Sequence, residues 1–127
     1  MVITSRHTLL ALLSASFVFA SSAAAQGYPV KPIRIIVPYS PGGSTDVVFR
    51  ILAPRLTEIL GQTVVVENRP GGSSTIGLDI AAKSPPDGHT LGIPNITFGA
   101  NPSLMKKMPF DTEKDLVPVS LVSIVTL

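Results

Sequence analysis

The 127-residue sequence has no cysteine and no tryptophan. Without thiols there are no disulfides, no thiolate chemistry and no Cys-ligated zinc. Aromatic residues make up only 6% of the chain, and no basic tract is interleaved with them, so the pattern expected of a nucleic-acid partner is missing. Neither sign of charge dominates, with 10 Lys+Arg against 8 Asp+Glu. The phosphate loop G-x-x-x-x-G-K-[ST] and the dinucleotide fingerprint G-x-G-x-x-G do not occur, and Ser44 has no G-x-S-x-G context. No cofactor, no metal and no catalytic residue is expected.

The one long apolar run lies at the start. Residues 1–25 read as a secretory signal peptide. Arg6 and His7 form a short basic start, and residues 9–20 are apolar but shorter than a comfortable membrane span. Small residues follow, with Ala23 and Ala25 forming an A-x-A site before Gln26. An uncleaved anchor is the alternative. Removing 25 of the 127 residues leaves 102, enough for one small domain, and leaves 9 Lys+Arg against 8 Asp+Glu. An exported chain without disulfides relies on its core and suits a bacterial periplasm.

The remainder alternates strand and helix. Residues 28–32 hold two prolines and form an extended lead-in. Residues 33–37 (IRIIV) are β-branched and read as a buried parallel strand. Ser44 or Thr45 is placed to cap a helix, with Asp46 in its first turn. Val47, Val48, Ile51, Leu52, Leu56, Ile59 and Leu60 recur at helical spacing as its buried face, with Arg50, Arg55 and Glu58 outside. Pro54 should kink this helix and Gly61 should end it. A second strand is expected over 63–69, and a helix over 75–83 with Ile76, Ile80 and Ala81 as its apolar side. A third strand is expected over 89–93, a loop over 95–100 and a short helix from Asn101 to Lys107. Asp111 should cap a turn, and a fourth strand is expected over 119–127.

Strands separated by helices imply an α/β fold with a parallel sheet flanked by helices. Ligands of such sheets bind outside the carboxyl ends of the strands. Three loops fall there. The first holds Pro41, Gly42, Gly43, Ser44, Thr45 and Asp46; the second Gly71, Gly72 and Ser73; the third Asn95 and Thr97. Two of them open helices, whose first N–H groups lack intrahelical partners and favour anions. The reading is an anion site on one rim; a purely structural glycine turn is the alternative.

The order of segments resembles the Bug-type extracytoplasmic solute receptors of tripartite tricarboxylate transporters. The resemblance rests on residues 28–34, Val37-Pro38, the 41–46 loop, Leu52-Ala53-Pro54, Gly61-Gln62, residues 65–71, 86–91 and 101–104, Phe110-Asp111 and residues 119–121. It covers essentially the whole mature part. It implies a type II periplasmic-binding-protein lobe, incomplete here. Such a receptor closes on a small carboxylate and delivers it to membrane permease subunits. The resemblance also implies binding through the three loops named above. Family members are roughly twice to three times longer, so residues 26–127 are expected to be the N-terminal part of the first lobe. Ile96 and Phe98 stand where relatives carry small or polar residues. That disfavours a tricarboxylate and leaves room for an aliphatic or aromatic acid.

Several residues read better as structural than as chemical. Arg69 could meet a ligand carboxylate, but a salt bridge at the strand end is preferred. Asp46 needs no role as a base at a helix start. His89 is expected to be a partly exposed surface residue, and Lys106 and Lys107 a solvated helix end. Two rival functions stay open: a small phosphate-handling α/β enzyme, and a non-binding remnant of a truncated receptor.

Overall fold

The computed structural model describes residues 27–123. Residues 1–26, which include the expected signal peptide, and residues 124–127 lie outside them. Strand β1 spans Ile33–Val37, helix α1 Ser44–Leu60 and strand β2 Val64–Asn68. A 3-10 turn at Gly72–Ser74 leads into α2, Thr75–Ala82; β3 is Thr90–Gly92 and α3 is Ile96–Leu104. The sheet order is β2–β1–β3, and both pairings are parallel. Ile33 faces Val64 and Val37 faces Asn68, while Ile36 faces Gly92.

The central strand is the most apolar because it is covered on both faces. Ile33, Ile35 and Val37 point to one side, where Phe49 and Ala53 of α1 and Val64 of β2 meet them. Ile36 points to the other side, where Leu78 of α2 is fully buried. A Cβ on Gly92 would come within 3.0 Å of both Leu78 and Ala81, so β3 and α2 are in close contact. Helices therefore lie on opposite faces, as right-handed crossovers require when they run in opposite directions along the sheet, from β1 to β2 and from β2 back past β1 to β3.

The α/β expectation holds, and several details are corrected. The face that α1 lays on the sheet runs through Asp46, Phe49 and Ala53, with Leu56 and Leu60 half-buried beside them. Val47, Ile51 and Ile59, expected inside, are exposed. An apolar stripe drawn from hydrophobicity alone was thus rotated, because a buried aspartate takes a core-facing position. The same happens in α2. Thr75, Gly77 and Leu78 are buried, whereas Ile76 is 54% exposed. Neither Ser44 nor Thr45 caps α1. Gly43 is its N-cap, and Asp46 reaches back to accept the Gly42 N–H at 2.8 Å.

Helix α1 runs through Pro54 without ending. The Thr57 hydroxyl donates to the Ala53 carbonyl at 2.8 Å and accepts the Val64 N–H at 3.0 Å, joining the end of α1 to the start of β2. Gly61 terminates α1 as expected, in the left-handed conformation at φ 68°. The stretch 96–100, expected as loop, is helical; Pro102, expected in the first turn of a helix running from Asn101 to Lys107, sits near the end of α3, which stops at Leu104. Residues 119–123 form no strand. Val119, Leu121 and Val122 are exposed there, and the rest of that expected strand lies outside the described residues.

His89 is buried, not surface-exposed. Its Nδ1 lies 2.9 Å from the Asp87 carbonyl oxygen and its ring stands edge-on to Tyr28 at 5.0 Å. Tyr28 also donates its hydroxyl to the Gly88 carbonyl, and Lys31 pairs with Asp87, both at 2.7 Å. The extended lead-in is thereby tied to the turn before β3. No helix among the described residues is long and apolar enough to cross a membrane.

Candidate functional site

The carboxyl ends of all three strands emerge on one rim. The loops that follow are held together by buried polar groups. Asp46 is almost fully buried, and its carboxylate accepts the Gly42 N–H, the Arg50 guanidinium at 2.9 Å and the Asn68 amide at 2.9 Å. Asn68 also donates to the Tyr39 carbonyl at 3.2 Å and accepts from Arg50 at 2.8 Å. The Tyr39 hydroxyl accepts the Asn95 N–H at 2.9 Å. This chain of bonds crosses from the first loop through the end of β2 to the third loop.

The hydrogen bond from Arg50, then those from Gly42 and Asn68, hold the Asp46 carboxyl at about 2. It is therefore a charged structural brace, with its oxygens already engaged. Glu67 is lowered in the same way, by Arg34 first and Arg69 second. Arg69 donates its Nε to Glu67 at 2.7 Å, so the preferred structural reading of that arginine matches its geometry.

The second loop is unusual in its backbone. Gly71, Gly72, Ser73 and Ser74 all have positive φ, at 121°, 57°, 52° and 76°. Glycine accepts this region freely; a serine does so only where its surroundings impose it. Here Asn101, buried on α3, donates its amide to the Ser73 carbonyl at 2.8 Å, and the Thr75 hydroxyl donates to the Gly72 carbonyl at 2.6 Å.

Between the rim loops and α3 lies an open cavity of about 610 Å³. Pro38, Tyr39 and Ser40 line it from the first loop. Pro70, Gly71, Ser73 and Ser74 line it from the second, and Asn95, Ala100, Asn101 and Leu104 from the third loop and α3. Of the residues expected to bind, Gly71, Ser73 and Asn95 line this cavity. Pro41, Gly42, Gly43 and Ser44 are exposed on the adjoining turn, with Thr45 half-buried, Asp46 beneath it and Gly72 exposed at the start of the second turn. Thr97 belongs to the first turn of α3, and its side chain lies outside the described residues.

Sequence reasoning passed over Arg50, Tyr39, Asn101 and Leu104. Arg50 had a legible signal, since it stands four residues after Asp46 on one helix face. The others had none, because their partners are distant in sequence. Phe98, which looked like a bulky addition to the third loop, stacks on Phe110 at 6.4 Å. Among the described residues no group of three or more His, Asp or Glu side chains could hold a metal.

Residues 48–127 match the family described as tripartite tricarboxylate transporter family receptor. BugT of Bordetella pertussis is 47% identical over 110 residues, covering 85% of this chain and 34% of BugT. The structure of MatC from Rhodopseudomonas palustris with bound malate is 35% identical, with a TM-score of 0.64 over 69% of this chain and 30% of that one. R. palustris Rpa4515 with adipate is 36% identical, with a TM-score of 0.62 over 68% and 29%. The chain thus spans about a third of the length of these relatives. The relatives are periplasmic solute receptors, not enzymes. With its parallel sheet, its rim of three loops and these matches, the chain belongs to the tripartite tricarboxylate transporter receptor family.

Proposed function

We propose that this chain contributes the first-lobe part of an extracytoplasmic receptor. That receptor captures a small carboxylate and passes it to the membrane permease subunits of a tripartite transporter. Residues 1–25 direct export to the periplasm, and residues 26–127 form the N-terminal part of the lobe. The observation that carries the reading is the rim itself. Three loops from parallel strand ends are braced into one unit around a cavity lined by uncharged polar and apolar side chains and by backbone. Malate in MatC and adipate in Rpa4515 supply the ligand class by likeness.

In this reading Gly71, Ser73 and Asn95 face the ligand, together with Thr97. Ser44 and Thr45 offer the amides of the α1 start to an anion, on a turn shaped by Pro41, Gly42 and Gly43, whose glycine N–H groups are held by Asp46 and by the Ser40 carbonyl, and Gly72 completes the second turn. Asp46 acts through the loop it braces, since its carboxylate is engaged by Gly42, Arg50 and Asn68. Ligand bound to the native state raises the unfolding temperature by mass action. Thermal unfolding of the purified chain across C4–C6 dicarboxylates and aromatic acids at millimolar concentration tests this. A rise with at least one acid is expected, larger in a receptor of the relatives' full length. No rise across the whole panel in either protein overturns the reading.

A further inference from the structure

Asn101 stands inside α3 and is only 3% exposed. Its amide leaves the helix and donates to the Ser73 carbonyl, 28 positions earlier, at 2.8 Å. Among the elements of the fold, α3 packs chiefly against the 3-10 turn that carries this carbonyl. The start of α3 is held separately, by the Asn95 N–H on the Tyr39 hydroxyl. The helix is thus fastened to the first loop at one point and to the second at another.

The Ser73 carbonyl belongs to the peptide that Ser73 and Ser74 share. Its direction is set by ψ of Ser73, 45°, and φ of Ser74, 76°. Ser73 itself has φ 52°, so both serines lie in the left-handed region that a Cβ disfavours. The Thr75 hydroxyl holds the preceding carbonyl, that of Gly72, from within the turn. The bond from Asn101 comes from another element and acts on the serines' own peptide. A turn relaxed to negative φ would carry the Ser73 carbonyl away and leave a buried amide without this acceptor. The left-handed pair and the Asn101 amide therefore support each other. Ser73, Ser74 and Asn101 all line the cavity, so the form of this turn shapes the cavity wall.

We propose that Asn101 is a positioning residue, holding the second turn through the Ser73 carbonyl in the left-handed form that the ligand meets. This rests on the carboxylate reading above and adds to it a residue that acts through the turn. A ligand that needs one form of a turn binds more weakly in proportion to the fraction of molecules outside that form. One ordinary hydrogen bond shifts such an equilibrium about fivefold.

The test titrates adipate and malate into the full chain, into Asn101→Ala and Asn101→Asp, and into each of these combined with Ser74→Gly. Aspartate keeps the size of the side chain and lacks the N–H donor. In the ligand-free proteins, NMR reads the short N–H to Hα distance that positive φ imposes on a serine. The parent is expected to show it at Ser73 and Ser74. Both single variants should lose it and bind the parent's preferred acid about fivefold more weakly. Glycine accepts positive φ freely, so Ser74→Gly should recover most of the affinity lost with Asn101. Glycine at that position could not replace a direct contact between Asn101 and the ligand. A role in stability alone would lower the unfolding temperature and leave affinity as in the parent. Either of those two patterns, or serines that keep positive φ in the single variants, overturns the assignment and leaves the carboxylate reading standing. Binding of neither acid by the parent overturns the assignment, and failure of the wider acid panel would overturn the carboxylate reading as well.

Discussion

Asp46 shows how one side chain sets the site. A carboxylate buried in a helix's first turn is tolerated because three donors converge on it. Asp46→Asn removes the charge and turns an amide N–H₂ toward groups that donate. It is expected to lower the unfolding temperature by several degrees and to loosen the 41–45 loop. The pH dependence follows from the direction of the shift. A carboxyl whose folded value lies below its ordinary one stabilises the fold above that ordinary value, and the stability is lost as pH falls through the folded value. For Asp46, and for Asp87 held by Lys31 and the His89 N–H, the window runs from about pH 4 down to about pH 2. An acid titration followed by circular dichroism should show this slope, and Asp46→Asn should flatten part of it. Tyr39→Phe keeps the packing and removes the acceptor of the Asn95 N–H. It should cost roughly 0.5–1.5 kcal/mol and speed hydrogen exchange at Asn95.

At the scale of elements, α2 decides how closely the second loop approaches the first. Gly77 lies where a Cβ would come within 2.7 Å of the Arg69 carbonyl and 2.8 Å of the Pro38 Cβ. Both contacts belong to the loops that build the rim. Gly77→Ala must push α2 away from them and should destabilise by roughly 1–3 kcal/mol in urea unfolding. Leu78, its fully buried neighbour, anchors the same helix against Ile36 and β3. Leu78→Ala should cost roughly 2–5 kcal/mol, with the spread set by how far α2 can collapse. If Gly77→Ala were neutral, α2 would not be seated against the rim as described.

At the scale of the molecule, the described residues form a three-stranded sheet with both edges open. Several large apolar side chains, among them Val117, Val119 and Leu121, are exposed. The chain matches about a third of the length of its relatives. Ligand-linked stabilisation therefore has to be read at two lengths, this chain and a receptor of the relatives' length. The expected ordering is a weaker response in the shorter protein. A shorter chain that responded as strongly would place the whole of the affinity on this rim.

The sequence by itself determined the α/β class, the order of the elements through β3 and the three loops at the strand ends. These depend on local signals: β-branched runs, helical spacing, and glycine where a helix begins or ends. It also carried the family, through the order and spacing of short motifs that are weak singly. Only the tertiary structure decided which face of each helix is inside. In α1 a paired aspartate outcompetes valine and isoleucine for the sheet, and in α2 glycine is needed for close approach. It alone buried His89, turned Phe98 onto Phe110, began α3 at Ile96 and joined Asp46, Asn68, Tyr39 and Asn95 into one brace. Those outcomes rest on contacts between residues tens of positions apart, and nothing in the local order of side chains records them.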